Sequence, residues 1–174
     1  MENDGIDGLI IDVRSNTGGH LTAVENILGL FLDSTHVIYQ TEDKNGVVKT
    51  YSHGSVTKDY SIAVLTNESS ASASEILAAA MSEEYGAILV GKHTYGKGTV
   101  QELKTLPDGQ QYKFTTKKWL TPNGNWINEV GIDVDIDVDF NKDYYDNPIY
   151  ENDKQLQAAI EALLWYNKLF YFIF

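Results

Sequence analysis

Cysteine does not occur in the 174 residues, which excludes disulfides and thiolate chemistry and leaves the redox compartment undecided. Positive charge is scarce: 13 lysines and arginines stand against 25 aspartates and glutamates, a net charge of −12. That balance argues against a nucleic-acid partner and against charge-driven binding to an anionic membrane surface. The four histidines, His20, His36, His53 and His93, make no ligand spacing, so neither a metal site nor a cofactor is expected. His20 reads as a surface or capping residue. No apolar run is long enough to span a bilayer, and no signal peptide precedes the first apolar segment. What is present, 43% apolar and 11% aromatic residues, is the composition of a globular domain with a sizeable core.

Periodicity places the elements. Residues 9–13 form an apolar run broken only by Asp12, as in a strand buried on both faces. Residues 14–19 are a turn ending in Gly18-Gly19, a pair that permits positive φ and exposes backbone N–H groups. Residues 21–32 read as a helix with Val24, Ile27, Leu28 and Phe31 on one face. Residues 37–40 and 47–51 flank an Asn45-Gly46 turn, hence a hairpin. Residues 62–66 and 87–90 are further buried strands, and 102–106 and 111–119 alternate as antiparallel strands. Asp133, Asp135, Asp137 and Asp139 alternate with Ile and Val, so a strand there puts four carboxylates on one face, about 7 Å between neighbours. This reads as a solvated edge that discourages strand pairing, since a calcium site needs converging ligands. Residues 153–164 read as a helix with Leu156, Ala159, Ile160 and Leu163 inward, and the aromatic tail 165–174 carries no assigned role.

The chemistry gathers in residues 66–101. Ser69, Ser70, Ser72 and Ser74 lead into a helix over 75–81 with Ile76, Leu77, Ala80 and Met81 on its apolar face. Free N–H groups and the positive dipole end at a helix start suit a nucleophile whose attack creates an oxyanion. A serine needs a base, and a lysine serves when burial lowers its pKa toward neutrality. Lys97 follows an apolar strand and lies between Gly96 and Gly98, where missing side chains allow close approach. Gln101 is in reach to hold the lysine or the substrate. Two plainer readings stand beside this: Ser72 to Glu75 as a capping box, and Lys97 as a solvated turn residue. A third, GxxxxGK over residues 91–97, suggests a phosphate loop, but Gly98 stands where that motif needs Ser or Thr, and strand rather than helix follows.

NESSASASEI followed by GKHTYGKGTVQ resembles the signature of the C-terminal processing peptidases, also called tail-specific proteases. IDVRSNTGG resembles another of their blocks, with Thr17 where proline is usual. Residues 120–124 and 131–135 extend the resemblance across roughly Gly8 to Val138, with Val134 replacing a second proline. The resemblance implies Ser72 as nucleophile, Lys97 as general base and Gln101 as its support, with an oxyanion hole built from N–H groups of Gly18, Gly19 and Ala73. It implies an α/β, crotonase-like layered domain of mixed strands flanked by helices over residues 1–164. The implied activity is a serine endopeptidase that cuts protein or peptide substrates near their C-termini through an acyl-enzyme. Such proteins usually carry an export signal or anchor, a PDZ domain and further strands ahead of this region. A catalytic-domain fragment is therefore expected, extracytoplasmic, with membrane contact only through a missing N-terminal anchor and homo-oligomers left open. The alternative is a catalytically silent fragment, or a peptide-binding or assembly module of the same fold.

Overall fold

The computed structural model describes residues 6 and 8–171, with side chains described as far as Leu164. The most apolar runs lie side by side. Strands β1 (Gly8–Asp12), β4 (Ser61–Thr66), β5 (Ile88–Gly91) and β8 (Ile136–Asp137) form a parallel sheet in the order β1-β4-β5-β8. Because β4 is central, both its faces are covered and nearly every residue is buried. Ala63 and Leu65, with Val90 of β5, meet Ala159 and Leu163 of helix α4 (Lys154–Tyr171). Ile62, Val64 and Leu89 point the other way, into the larger core with Leu28 of α1 (Leu21–Leu28) and Leu77 of α2 (Ala73–Ala80).

A second, antiparallel sheet of order β3-β2-β7-β6 lies against α2. It joins two hairpins: β2 (Val37–Asp43) with β3 (Gly46–Tyr51), and β6 (Thr99–Thr105) with β7 (Gln111–Leu120). Strands β2 and β7 pair through Gln40, Thr41 and Glu42 against Leu120, Trp119 and Lys118. Ile38, Tyr39 and Trp119 close the large core from this side. A short helix α3 (Asp143–Asp146) precedes α4.

Several boundaries differ from the periodicity, each for a tertiary reason. The helix expected over 21–32 stops at Leu28. Gly29 is covered by the His53 ring, and Gly54 approaches so closely that a Cβ on it would lie 2.1 Å from the Leu32 carbonyl oxygen. That carbonyl accepts the Ser52 hydroxyl (2.7 Å) and the Phe31 carbonyl accepts the Lys58 N–H (2.9 Å), so these groups bond outside any helix. The alternating aspartates give a strand of two residues rather than a long edge. The Asp135 carboxylate accepts the Leu89 N–H (2.8 Å), and Lys92 Nζ reaches both Asp137 (2.7 Å) and Asp139 (2.6 Å). The four carboxylates are exposed as expected, while Val134 and Ile136 turn toward the two cores. Helix α4 continues through residue 171 rather than ending at 164, so the backbone of the aromatic stretch is helical that far. Its side chains and residues 172–174 lie outside the described part. Among the described residues no helix is long and apolar enough to cross a membrane.

Candidate active site

The carboxyl ends of β1 and β4 each run into a turn, and the two turns are bonded to one another. The Ser70 hydroxyl donates to the Val13 carbonyl (2.7 Å), the Ser15 N–H to Asn67 Oδ1 (2.8 Å) and the Ala71 N–H to the Asn16 carbonyl (3.1 Å). This brings the glycine pair against the start of α2. Gly18, at φ +95°, leaves no space for a side chain: a Cβ there would lie 2.6 Å from Ala71 O and 2.9 Å from Ala73 N. Its N–H donates to Asn16 Oδ1 (3.0 Å), whereas the space a Gly19 Cβ would enter is empty to 4 Å. Ala73 opens α2 and so has no intrahelical acceptor for its N–H. Of the three backbone donors expected from the resemblance, Gly19 and Ala73 are the ones on which no other bond draws among the described residues.

Ser72 is one of three described non-glycine residues at positive φ, with φ 57° and ψ −118°. A serine in that conformation stores strain of about 1–3 kcal/mol and persists only where its surroundings enforce it. Glu75 does so. Its carboxylate is fully buried and accepts four hydrogen bonds, from the Ser72 N–H (2.8 Å), the Lys97 N–H (2.9 Å), the Gly96 N–H (2.7 Å) and the Thr94 hydroxyl (2.6 Å). The capping box weighed in the sequence is present, its Glu75 carboxylate accepting the Ser72 N–H, and the same carboxylate binds the loop that carries Lys97. Four donors are what a buried carboxylate needs to stay tolerable in a low dielectric.

The Lys97 loop is also held from the other side. The Trp119 indole donates to the Lys97 carbonyl and the Trp126 indole to the Gly98 carbonyl (2.8 Å). Gly96 and Gly98 are required here by close packing, since Cβ atoms would fall 2.8 Å from Gly131 N and 2.6 Å from Asn128 N. Lys97 itself is half-buried, and its ammonium has no hydrogen-bond or ion-pair partner among the described residues. Neither tryptophan stood out in the sequence, because the contact depends on β7 pairing back over β6.

Ser72, Ala73, Gly19, Lys97 and Gln101 line one cavity of about 690 Å³. Its apolar wall is Leu21, Tyr39, Ile76, Val100 and Trp119. Tyr39 donates to Glu25 (2.8 Å), and burial followed by the Glu25 charge raises its pKa above the ordinary value. Gln101 is exposed and follows a bulge whose extra residue, Thr116, is on β7. Two larger hollows, of about 750 and 880 Å³, contain none of the predicted site residues. His20 is exposed at the start of α1 and makes no side-chain cap bond.

Behind the site, Arg14 joins the end of β1 to the start of α4. It pairs with Asp12 (2.7 Å) and, through two nitrogens at 2.8 Å, with the buried Asp153. Burial works against the charge of both groups, but hydrogen bonding and mutual attraction outweigh it. The Arg14 pKa is held above and the Asp153 pKa below the usual values.

Residues 1–138 match peptidase family S41. The chain is 45% identical over 139 residues to the carboxy-terminal processing protease CtpB of Bacillus subtilis, covering 79% of this chain and 29% of that protein. To CtpA of the same organism it is 40% identical over 162 residues, 91% of this chain and 34% of the relative. Among solved structures, the photosystem II D1 C-terminal processing protease superposes with a TM-score of 0.74 at 32% identity, over 79% of this chain and 36% of that one. The chain therefore spans between 29% and 36% of the length of these three proteins.

Proposed function

The chain belongs to peptidase family S41, and on that premise we propose that its Ser72 cavity is a peptidase site that cleaves protein substrates near their C-termini. The observation that supports this is the convergence of Gly19, Ser72, Ala73, Lys97 and Gln101, from three separate segments, on one cavity. Ser72 Oγ attacks the scissile carbonyl carbon while Lys97 Nζ takes the hydroxyl proton. The N–H groups of Gly19 and Ala73 donate to the oxyanion, and Gly18 contributes by having no side chain in their way. The tetrahedral intermediate collapses, the C–N bond breaks, and Lys97 returns the proton to the leaving amine. Water, deprotonated by Lys97, then attacks the acyl-enzyme carbonyl, the C–Oγ bond breaks, and Lys97 returns the proton to Ser72 Oγ.

No carboxylate among the described residues pairs with Lys97 Nζ. Gln101 orients Lys97 or the substrate from β6. The catalytic unit is residues 1–164, working outside the cytoplasm, with membrane contact only through an N-terminal anchor and homo-oligomers left open.

The test is cleavage of unstructured protein and peptide substrates by the full-length protein. Ser72→Ala and Lys97→Ala are each expected to lower turnover by about 10³-fold or more, with circular dichroism unchanged. Undiminished turnover by either variant sinks the dyad. Peptide binding without Ser72-dependent cleavage gives the non-catalytic module instead.

A further inference from the structure

The hairpin of β6 and β7 carries more lysine than its acidic chain leads one to expect, and those lysines differ in their partners. Lys118 pairs with Glu42 (3.0 Å) and sits 4.5 Å from the Trp126 ring centre, and Lys104 lies 5.5 Å from the Phe114 ring centre. Lys113 and Lys117 line the Ser72 cavity, and neither ammonium has a hydrogen-bond, ion-pair or ring partner among the described residues. Glu102 is the one carboxylate on that lining, against three lysines, Lys97, Lys113 and Lys117.

Two unpartnered cations in a cavity of a protein with net charge −12 are placed to meet an anion that arrives with the ligand. We infer that Lys113 and Lys117 select substrates bearing a carboxylate near the bond to be cut, an inference that rests on the peptidase reading of the cavity. Strand geometry sets the distance. Trp119 holds the Lys97 carbonyl, and along β7 Lys117 lies two residues and Lys113 six residues from it, roughly 7 and 20 Å at about 3.4 Å per residue. An extended peptide advances by the same step, so the recognised carboxylate lies about two to six residues from the scissile bond. Either an Asp or Glu side chain or the free α-carboxylate of a substrate C-terminus supplies it.

The experiment uses the full-length protein and a matched peptide set: free against amidated C-terminus, and Glu against Gln at each of those positions. Binding is read by fluorescence anisotropy on the Ser72→Ala protein, and cleavage as kcat/KM on the wild type. The carboxylate peptide is expected to lead its neutral counterpart by about tenfold at low salt, through KM rather than kcat, and the lead shrinks as salt rises. Lys113→Gln with Lys117→Gln should reduce the ratio to about one, and Lys113→Glu with Lys117→Glu should invert it. The arm that responds, amidation or Glu→Gln, identifies the source of the carboxylate. Equal binding of charged and neutral peptides by the wild type overturns the inference, as does a preference that survives in a folded double variant. Charge preference without Ser72-dependent cleavage removes the peptidase reading alone; cleavage without charge preference removes this inference alone.

Discussion

Replacing Glu75 by glutamine tests whether one carboxylate positions both halves of the site. In the wild type Oε1 accepts from Thr94 and Gly96, and Oε2 from Ser72 and Lys97. A glutamine keeps the shape but turns one acceptor into an NH₂ group. Facing Thr94 and Gly96, the amide confronts one N–H and a hydroxyl already accepting from Ile132 (2.8 Å); facing the other pair, it confronts two N–H donors. One or two buried N–H groups therefore lose their acceptor in either orientation, at about 1–3 kcal/mol each. The expected loss is about 2–4 kcal/mol, read as a melting temperature lower by roughly 5–15 °C. Activity should fall further than stability. The strained Ser72 turn and the Lys97 loop lose their common anchor, and a displacement of about 1 Å costs on the order of 10²-fold in rate. Steady-state kinetics on the folded variant should show kcat reduced and KM nearly unchanged. A Glu75→Gln protein with wild-type melting temperature and wild-type kcat refutes the positioning role.

Gly18→Ala places a methyl group 2.6 Å from the Ala71 carbonyl oxygen at a φ of +95°; a loss of about 1–3 kcal/mol and severely reduced peptidase activity are expected, and an active, stable variant contradicts the packing argument. Trp126→Phe removes the donor to the Gly98 carbonyl and should cost about 1 kcal/mol while lowering kcat, checked by denaturant titration and kinetics. The Asp153 carboxylate is held below its unfolded pKa of about 3.9, so its contribution is full above that value and is lost as pH falls through the folded pKa. Urea midpoints should therefore separate wild type from Asp153→Asn at pH 7 and converge toward pH 2; a gap that stays constant excludes the Arg14 pair as its source.

The sequence made some of this legible and hid the rest for identifiable reasons. The apolar runs of β1, β4 and β5 announce buried strands, because a parallel sheet covered on both faces leaves no polar side to alternate. Ser72, Lys97 and the glycine pair were legible as a candidate site through the family resemblance, since each taken alone also fits a cap or a turn. The stop of α1 at Leu28 was not, since it depends on His53 and Gly54 arriving from a later loop. Alternating aspartates predicted exposure correctly but not the Lys92 clamp, because a local pattern carries no information about which cation lies beyond the sheet edge. Glu75 was visible only as a cap: its other three donors, Thr94, Gly96 and Lys97, come from a loop that β5 has to deliver first.

That indirect arrangement joins the Ser72 turn to the Lys97 loop without a carboxylate beside the amine among the described residues. Here the positioning is done through backbone. Glu75 accepts the Lys97 N–H, Trp119 and Trp126 donate to the carbonyls of Lys97 and Gly98, and the ammonium is left without a partner. The Glu75 charge is itself answered by neutral N–H and hydroxyl donors, and it is fully buried from solvent. The Ser72 turn and the Lys97 loop are thereby held by one carboxylate bonded to the main chain of both.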